Sequence, residues 1–353
     1  MKFIHTADIH WNMSPDVDSP WAESRKKAIQ DTFRSLISLV KKEQIPLLLI
    51  SGDLFHNQPL LRDLKEVNQL FASISQTRVV LIAGNQDYIR ASSPYHGFVW
   101  ADNVTFLSDQ KLTSVYFPEL DTEVYGFSYH SPEITEPLLD HIQIPEHRKC
   151  FRILLAHGGD EQHLPISMET FLSLDFDYIA MGHLHRPSVI VKNKVAYAGS
   201  LEPLGKNEPG KHGYVFGEYL GKTLTFRHMP LARLQYISLV IHITRKTSNE
   251  ELLELVSSEI KKRGIQNIYR FRLRGFSNPE ESFDLSSLQE EFKIIDILDE
   301  SEPEYDYESL EKKHENDLIG LYIQSLRKTQ MNKTEKKALA YGLKALMQNT
   351  QEG

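Results

Sequence analysis

Within the first 83 residues, three short, mainly apolar runs, at residues 2–7, 46–51 and 78–83, alternate with two longer stretches, residues 21–43 and 61–75. In the first long stretch Ile29, Phe33, Leu36, Ile37 and Val40 recur at helical spacing and mark one buried face. A strand that is apolar at every position is buried on both of its faces, so the spacing predicts a βαβαβ order and an α/β fold. Further strands are expected at residues 123–128, 151–156, 178–181 and 195–198, and at 214–219 and 223–228 around a Leu220-Gly221 turn. One α/β domain over residues 1–230 follows.

A second unit is expected at residues 231–300. Ile237, Leu239, Ile241 and Ile243 alternate as in a half-buried strand, and Ser248 with Glu251 forms a capping box for a helix that aligns Leu252, Leu253, Val256 and Ile260. Strands at 268–274 and 293–298 complete a small α+β capping domain. Residues 301–317 hold seven acidic residues against two lysines and read as a linker. Two helices close the 301–353 segment, one placing Leu318, Tyr322 and Leu326 on a face, the other, capped by Asn332 and Glu335, presenting Leu339, Leu343, Leu346 and Met347. The 353 residues, 41% of them hydrophobic, suffice for about two domains. A net charge of −8 excludes a uniformly basic nucleic-acid coat and leaves only local positive patches. The single cysteine, Cys150, excludes an intramolecular disulfide and cysteine-rich zinc motifs, and fits a reducing cytosol. No apolar run approaches the roughly 18 residues of a membrane span, and Asp8 and His10 come too early for a signal peptide; a cytoplasmic protein without a membrane partner is expected.

Each predicted strand of the first domain that leads into a polar turn ends on a possible hard-metal ligand: Asp8-Ile9-His10, Gly52-Asp53, Gly84-Asn85, His157-Gly158 and Gly182-His183-Leu184-His185. Functional groups collect at the carboxyl ends of strands in open α/β sheets, so these side chains should converge. A mixed Asp, Asn and His set without thiolate suits Mn²⁺, Fe²⁺ or Zn²⁺. Seven such groups are too many for one ion, and two ions about 3.5–4 Å apart, bridged by a carboxylate, are suited to phosphoester hydrolysis. His96, His130, His163 and His212 occupy no such position. Arg270, Arg272 and Arg274 share one strand face opposite Tyr269, Phe271 and Leu273 and read as a solvated outer row. Arg186, Lys206 and Lys211, near the ligand motifs, are the candidates for substrate binding.

Through the phrases HTADIHW, ISGDLFH, LIAGNQD, LLAHG, MGHLHRP and YAGSLEPLG the chain resembles the calcineurin-like metallophosphoesterase superfamily, within it the SbcD/YhaO-type DNA exonuclease subunits related to the Mre-eleven nucleases. The resemblance implies a metallophosphoesterase-type sheet sandwich flanked by helices, with a small capping module and C-terminal helices. It further implies a two-metal DNA exonuclease or endonuclease, with Mn²⁺ as the expected metal. A homodimer is implied too, as are C-terminal helices that grip an SbcC-like SMC-type ATPase. Carried over by position, Asp8, His10 and His185 would bind one metal, Asn85, His157 and His183 the other, and Asp53 would bridge them; His56 would lie beside the scissile phosphate. The family motif Gly-Asn-His-Asp here reads Gly84-Asn85-Gln86-Asp87. Glutamine donates a hydrogen bond but cannot be protonated near neutral pH, so a general acid-base contribution of about 10² to 10⁴ in rate is expected to be lost. The alternatives are a nucleotide phosphodiesterase or phosphatase, and a catalytically weak DNA-end-binding adaptor of the ATPase.

Overall fold

The computed structural model describes residues 1–142, 149–279, 282–327 and 330–349; the last four positions of the 301–353 segment lie outside the described residues. Two compact units divide the chain, Met1–Tyr236 and Ile237–Gly353.

In the first unit β1 (Lys2–Thr6), α1 (Ala22–Lys42), β2 (Leu47–Ser51), α2 (Leu61–Ala72) and β3 (Arg78–Ile82) follow the expected βαβαβ order. The chain continues through β4 (Val104–Phe106), β5 (Thr113–Phe117), β6 (Thr122–Gly126), β7 (Phe151–His157), α3 (Met168–Ser173), β8 (Tyr178–Gly182), β9 (Ser188–Val191), β10 (Val195–Tyr197), β11 (Gly213–Leu220) and β12 (Thr223–Pro230). Two six-stranded sheets result, in the orders β12-β11-β1-β2-β3-β4 and β5-β6-β7-β8-β10-β9. The strands absent from the sequence expectation, β4, β5 and β9, are three of the four sheet edges; the fourth, β12, is given away by its Leu220-Gly221 turn. Edge strands are only partly covered, so they carry no apolar run to betray them.

The apolar residues on both faces of these strands are explained by two different neighbours. Phe3, Leu47, Leu49, Val80 and Ile82 point into a core shared with Ile153, Leu155, Tyr178 and Ala180 of the second sheet. Their sequence neighbours Ile4, Leu48, Ile50, Val79 and Leu81 pack against Phe33, Leu36, Val40, Leu64, Val67 and Phe71 of α1 and α2. Each such side chain contributes about 1.5–3 kcal/mol on burial. A third core covers the outer face of the second sheet with Phe171 and Phe176. The result is a sheet sandwich flanked by helices. β1, β2 and β3 run parallel in one sheet, β7 and β8 in the other.

In the second unit β13 (Tyr236–Ile243), α4 (Asn249–Arg263), β14 (Ile268–Ser277), α5 (Ser286–Glu291) and β15 (Ile294–Asp299) build a sheet in the order β13-β14-β15, with β16 (Glu302–Pro303) on β14. The Ser248 capping box forms in both directions: Glu251 N–H donates to Ser248 Oγ at 3.2 Å and Ser248 N–H to Glu251 Oε2 at 3.1 Å. Tyr269, Phe271 and Leu273 are buried, and the arginines on the other face of β14 pair with Asp296 and Glu300.

The stretch read as a linker contains α6 (Tyr307–Lys313), which shares a core with α7 (Leu318–Leu326) and α8 (Lys333–Asn349) through Leu310, Ile319, Ile323, Leu339 and Leu343. The buried face of α7 is Ile319, Gly320 and Ile323; Leu318 is 66% and Leu326 39% exposed, so the face drawn through Leu318, Tyr322 and Leu326 is corrected by one position. The sequence LIGLYIQSL is apolar nearly all round, and periodicity cannot choose a face on such a helix. Among the described residues no helix is long and apolar enough to cross a membrane.

Candidate metal centre

The loops after β1 and β2 are tied together, with Asp8 N–H donating to Gly52 O at 3.2 Å and His10 N–H to Asp53 O at 3.0 Å. This brings polar side chains from five strand ends into one place. Asp8, His10, Asp53 and His183 hold φ angles of +49°, +47°, +49° and +94°, a region that non-glycine residues rarely enter and that persists where packing over-determines it. Two glycines make the room: a Cβ on Gly84 would strike the Asp53 carboxylate, and one on Gly52, at φ +87°, the His157 ring.

Asp53 Oδ2 lies 3.4 Å from His157 Nε2 and 3.7 Å from His10 Nε2. On one side His10 Nε2 stands 3.2 Å from His185 Nε2, and the ligand atoms of Asp8, His10 and His185 fall within 4.8 Å of one another. On the other, Asn85 Oδ1 is 2.9 Å from His157 Nε2 and 3.2 Å from His183 Nδ1. The structure therefore brings together all seven side chains singled out in the sequence.

Outer contacts orient three of the imidazoles. His157 Nδ1–H donates to Ser51 O at 2.8 Å, His183 Nε2–H to Asp160 Oδ2 at 2.6 Å, and His185 Nδ1–H to Glu208 Oε1 at 2.7 Å. In its neutral form each of these rings turns its other nitrogen inward as an acceptor. Burial pushes the pKa of His10 down to about 3 and that of His183 to about 4, so both keep a lone pair at neutral pH. Burial raises Asp8 to about 6, against the pull of His157 and His185. Burial opposes charge on Asp53 and His157 as well, yet their mutual attraction wins, holding the Asp53 carboxyl below the usual range and lifting His157 to about 9. The lone pairs of His10 and His183 and the Asp53 carboxylate form a donor set that a divalent cation would satisfy, its charge taking the place of the proton on His157, and the residues fit such a group.

His56 is half-buried, its Nδ1 3.3 Å from His10 Nδ1. The backbone N–H of Gln86 donates to Asp53 Oδ1 at 2.8 Å, while its exposed side chain lines a cavity of about 560 Å³ with Asn57, Asn85, Arg90 and His163. Asp87 is buried and accepts from Gly84 N–H, Phe55 N–H and the Tyr95 hydroxyl, with burial raising its pKa to about 7. Arg186, Lys206 and Lys211 are exposed, on the segments that carry His185 and Glu208. His96, His130 and His212 bond to Arg90 O, Ser108 O and Ser200. Asp160 and Glu208 were missed by sequence reasoning. An outer carboxylate leaves no spacing signal beyond its nearness to a motif, here HGGD and the end of YAGSLEPLGKNE.

Residues 1–187, just over half of the chain, match the calcineurin-like phosphoesterases, and the chain belongs to that family of divalent-metal phosphoesterases. It is similar to the uncharacterized metallophosphoesterase YhaO of Bacillus subtilis (strain 168), with 24% identity over 303 residues, 78% of this chain and 72% of that protein. Against the DNA double-strand break repair protein Mre11 of Methanocaldococcus jannaschii the identity is 28% over 226 residues, 59% of this chain and 58% of that one. Against the SbcD subunit of the SbcCD nuclease of Staphylococcus saprophyticus it is 23% over 313 residues, 79% of each.

Proposed function

We propose that this chain is the metal-dependent nuclease subunit of a DNA-repair complex and hydrolyses phosphodiester bonds with two divalent cations, Mn²⁺ being the expected metal. The observation that carries the reading is the convergence of seven donors from five strand ends, three of them rings turned inward by an outer acceptor. Asp8, His10 and His185 would hold one cation, Asn85, His157 and His183 the other, and Asp53 would serve both. When bound, the ions supply positive charge against the phosphoryl oxygens and activate the attacking water. His56, whose Nδ1 is 3.3 Å from His10 Nδ1, would lie beside the scissile phosphate. Gln86 donates a hydrogen bond to a phosphate or leaving oxygen but no proton, which lowers turnover. Arg186, Lys206 and Lys211 position the DNA backbone without reading its sequence.

The relatives named for DNA repair and for the SbcCD nuclease support DNA as substrate and an SbcC-like SMC-type ATPase as partner. The exposed Leu318, Leu321 and Tyr341 of the C-terminal helices offer the partner an apolar surface, and a homodimer is consistent with exposed Leu61 and Val99 lining one groove. In this reading residues 1–230 form the nuclease domain, 231–300 the cap and 301–353 the partner-binding segment, and a DNA substrate suits a cytoplasmic location. The test is cleavage of 5′- and 3′-labelled linear duplex DNA with Mn²⁺, with and without Gln86→His. Slow metal-dependent cleavage that the substitution accelerates is expected. Hydrolysis of a short chromogenic ester with no cleavage of DNA by either protein would overturn the reading. The Gln86 side chain itself favours one second reading, a DNA-end-binding adaptor, which tight binding with negligible cleavage would identify.

A further inference from the structure

The three oriented imidazoles differ in what orients them. His157 is held by a neutral carbonyl, Ser51 O, deep in the sandwich, whereas His183 and His185 are each held by a carboxylate at the rim, Asp160 and Glu208. These two histidines belong to opposite halves of the ligand set: His183 Nδ1 faces Asn85, and His185 Nε2 faces His10. We infer that Asp160 and Glu208 are a pair of positioning residues, each serving one cation subsite and not the other, so that the two ions can be removed separately. The inference rests on the two-cation reading above.

The physical argument is one of tautomers and charge. A ring in free solution divides its proton between two nitrogens; a carboxylate 2.6–2.7 Å from one of them keeps the proton there and leaves the other nitrogen free for a cation. The same carboxylate makes the ring a better donor. Asp160 holds the His183 ring, and the His163 ring beside it, while Glu208 holds that of His185; the link between the halves is the His183 backbone N–H, which donates to Asp8 at 3.0 Å and does not depend on where either ring keeps its proton. Each carboxylate also has a local task. Asp160 accepts the backbone N–H of Gln162 and His163 at 2.9 and 2.8 Å, and Glu208 accepts that of Leu204 at 2.7 Å. A role confined to these turns would alter stability and leave the rings alone, so the test must read the rings.

The experiment uses the full chain and the variants Asp160→Asn, Asp160→Ala, Glu208→Gln and Glu208→Ala. Two-bond ¹H–¹⁵N correlation spectra of the metal-free proteins, recorded at alkaline pH where the rings are neutral, report each tautomer. His183 should lose its Nε2–H preference in Asp160→Ala while His185 keeps its Nδ1–H form, and the reverse should hold in Glu208→Ala. Calorimetric titration with Mn²⁺ should show two binding steps in the unaltered protein. Each alanine variant should weaken one step by about 10–100-fold and leave the other within about twofold, with the amide variants, which retain an acceptor oxygen, losing less. A melting temperature that falls while tautomers and both affinities stay unchanged would reduce the carboxylates to turn caps and overturn the inference. So would a variant that weakens both steps alike. A single binding step in the unaltered protein would instead overturn the two-cation reading, and the tautomer spectra would still decide the role of each carboxylate.

Discussion

On β14 of the second unit, Arg270 is met by Asp296 at 2.8 and 2.6 Å, Arg274 by Glu300 at 2.8 Å, and Arg272 stands 3.9 Å from Glu300. At the strand ends of the first unit the arrangement is opposite. Asp8, Asp53 and Asn85 present acceptor oxygens to imidazole nitrogens; of these rings His10 and His183 stay neutral, and His157 holds the proton that meets Asp53. Both gather polar and charged side chains in one place. The β14 row is met by carboxylates of the neighbouring segment, whereas the strand-end cluster gathers acceptor oxygens and imidazole lone pairs for which the fold supplies only the His157 proton. A charged row thus marks a ligand site when the fold withholds its counter-charges, and a structural surface when it supplies them.

Asp53→Asn should have the largest effect. It removes the charge both halves share, so both Mn²⁺ binding steps should weaken together by more than the roughly 10–100-fold that an outer partner costs, and hydrolysis should fall to background. Calorimetry and a hydrolysis assay check this; retention of either step at full affinity would break the comparison at its centre. Gln86→His comes next. Turnover on DNA should rise by about 10² to 10⁴ with metal affinity unchanged, because the residue stands beside the ligands and only its backbone N–H touches Asp53. A Gln86 protein that already cleaves as fast as the variant would assign proton transfer elsewhere, with His56 the first candidate.

The two regions were also unequally legible. Ile29, Phe33, Leu36, Ile37 and Val40 are all buried, and the strands apolar on both faces lie between a helix layer and a second sheet, because burial on two sides leaves a continuous pattern in the chain. The strand-end groups stand out too: each follows a strand with a polar side chain, and all but Asp8-Ile9-His10 have a glycine beside it. α7 hid its buried face because Leu318, Ile319, Leu321, Tyr322 and Ile323 could serve either side, and α6 was hidden by the acidic residues on its exposed face around the single buried Leu310. Asp160 and Glu208 escaped notice because a hydrogen bond across 23 positions, such as His183 to Asp160 or His185 to Glu208, has no periodicity.

A third way of treating charge lies just behind the metal centre and gives a smaller effect. His5 is fully buried between the sheets, with Nδ1 2.8 Å from Tyr178 Oη and Nε2 2.8 Å from Ser51 Oγ. Burial pushes its pKa down to about 3. Between that value and the ordinary one of about 6.5 the unfolded chain binds a proton that the folded chain refuses, so the His5 contribution to stability is complete above about pH 6.5 and is lost as the pH falls toward about 3. By about pH 5 the loss should reach on the order of 2 kcal/mol. Denaturant unfolding across this range should show a shallower pH slope in His5→Gln, whatever its starting stability; parallel slopes would mean that His5 is charged in the fold.

The smallest effect is expected where the comparison is most exposed to refutation, on β14. Arg274 and Glu300 are 49% and 37% exposed, so their attraction is screened by water and salt, and Arg274→Ala should cost only about 0–1 kcal/mol in unfolding free energy. Its effect on DNA should be nil. An arginine that neutralised a phosphate would contribute about 0.9 to the slope of log affinity against log salt, so replacing Arg270, Arg272 and Arg274 together would flatten that slope by about 2.7 if the row gripped DNA, and by nothing if its charge is spent on Asp296 and Glu300. The sharper test runs the other way. Asp296→Asn combined with Glu300→Gln removes the counter-charges and leaves the arginines in place, and that protein should bind duplex DNA more tightly and with a steeper salt slope than its parent. If instead the parent already has the steep slope and the triple arginine variant loses it, the row is a DNA contact, and pairing within the sheet does not keep a strand's charges from a ligand.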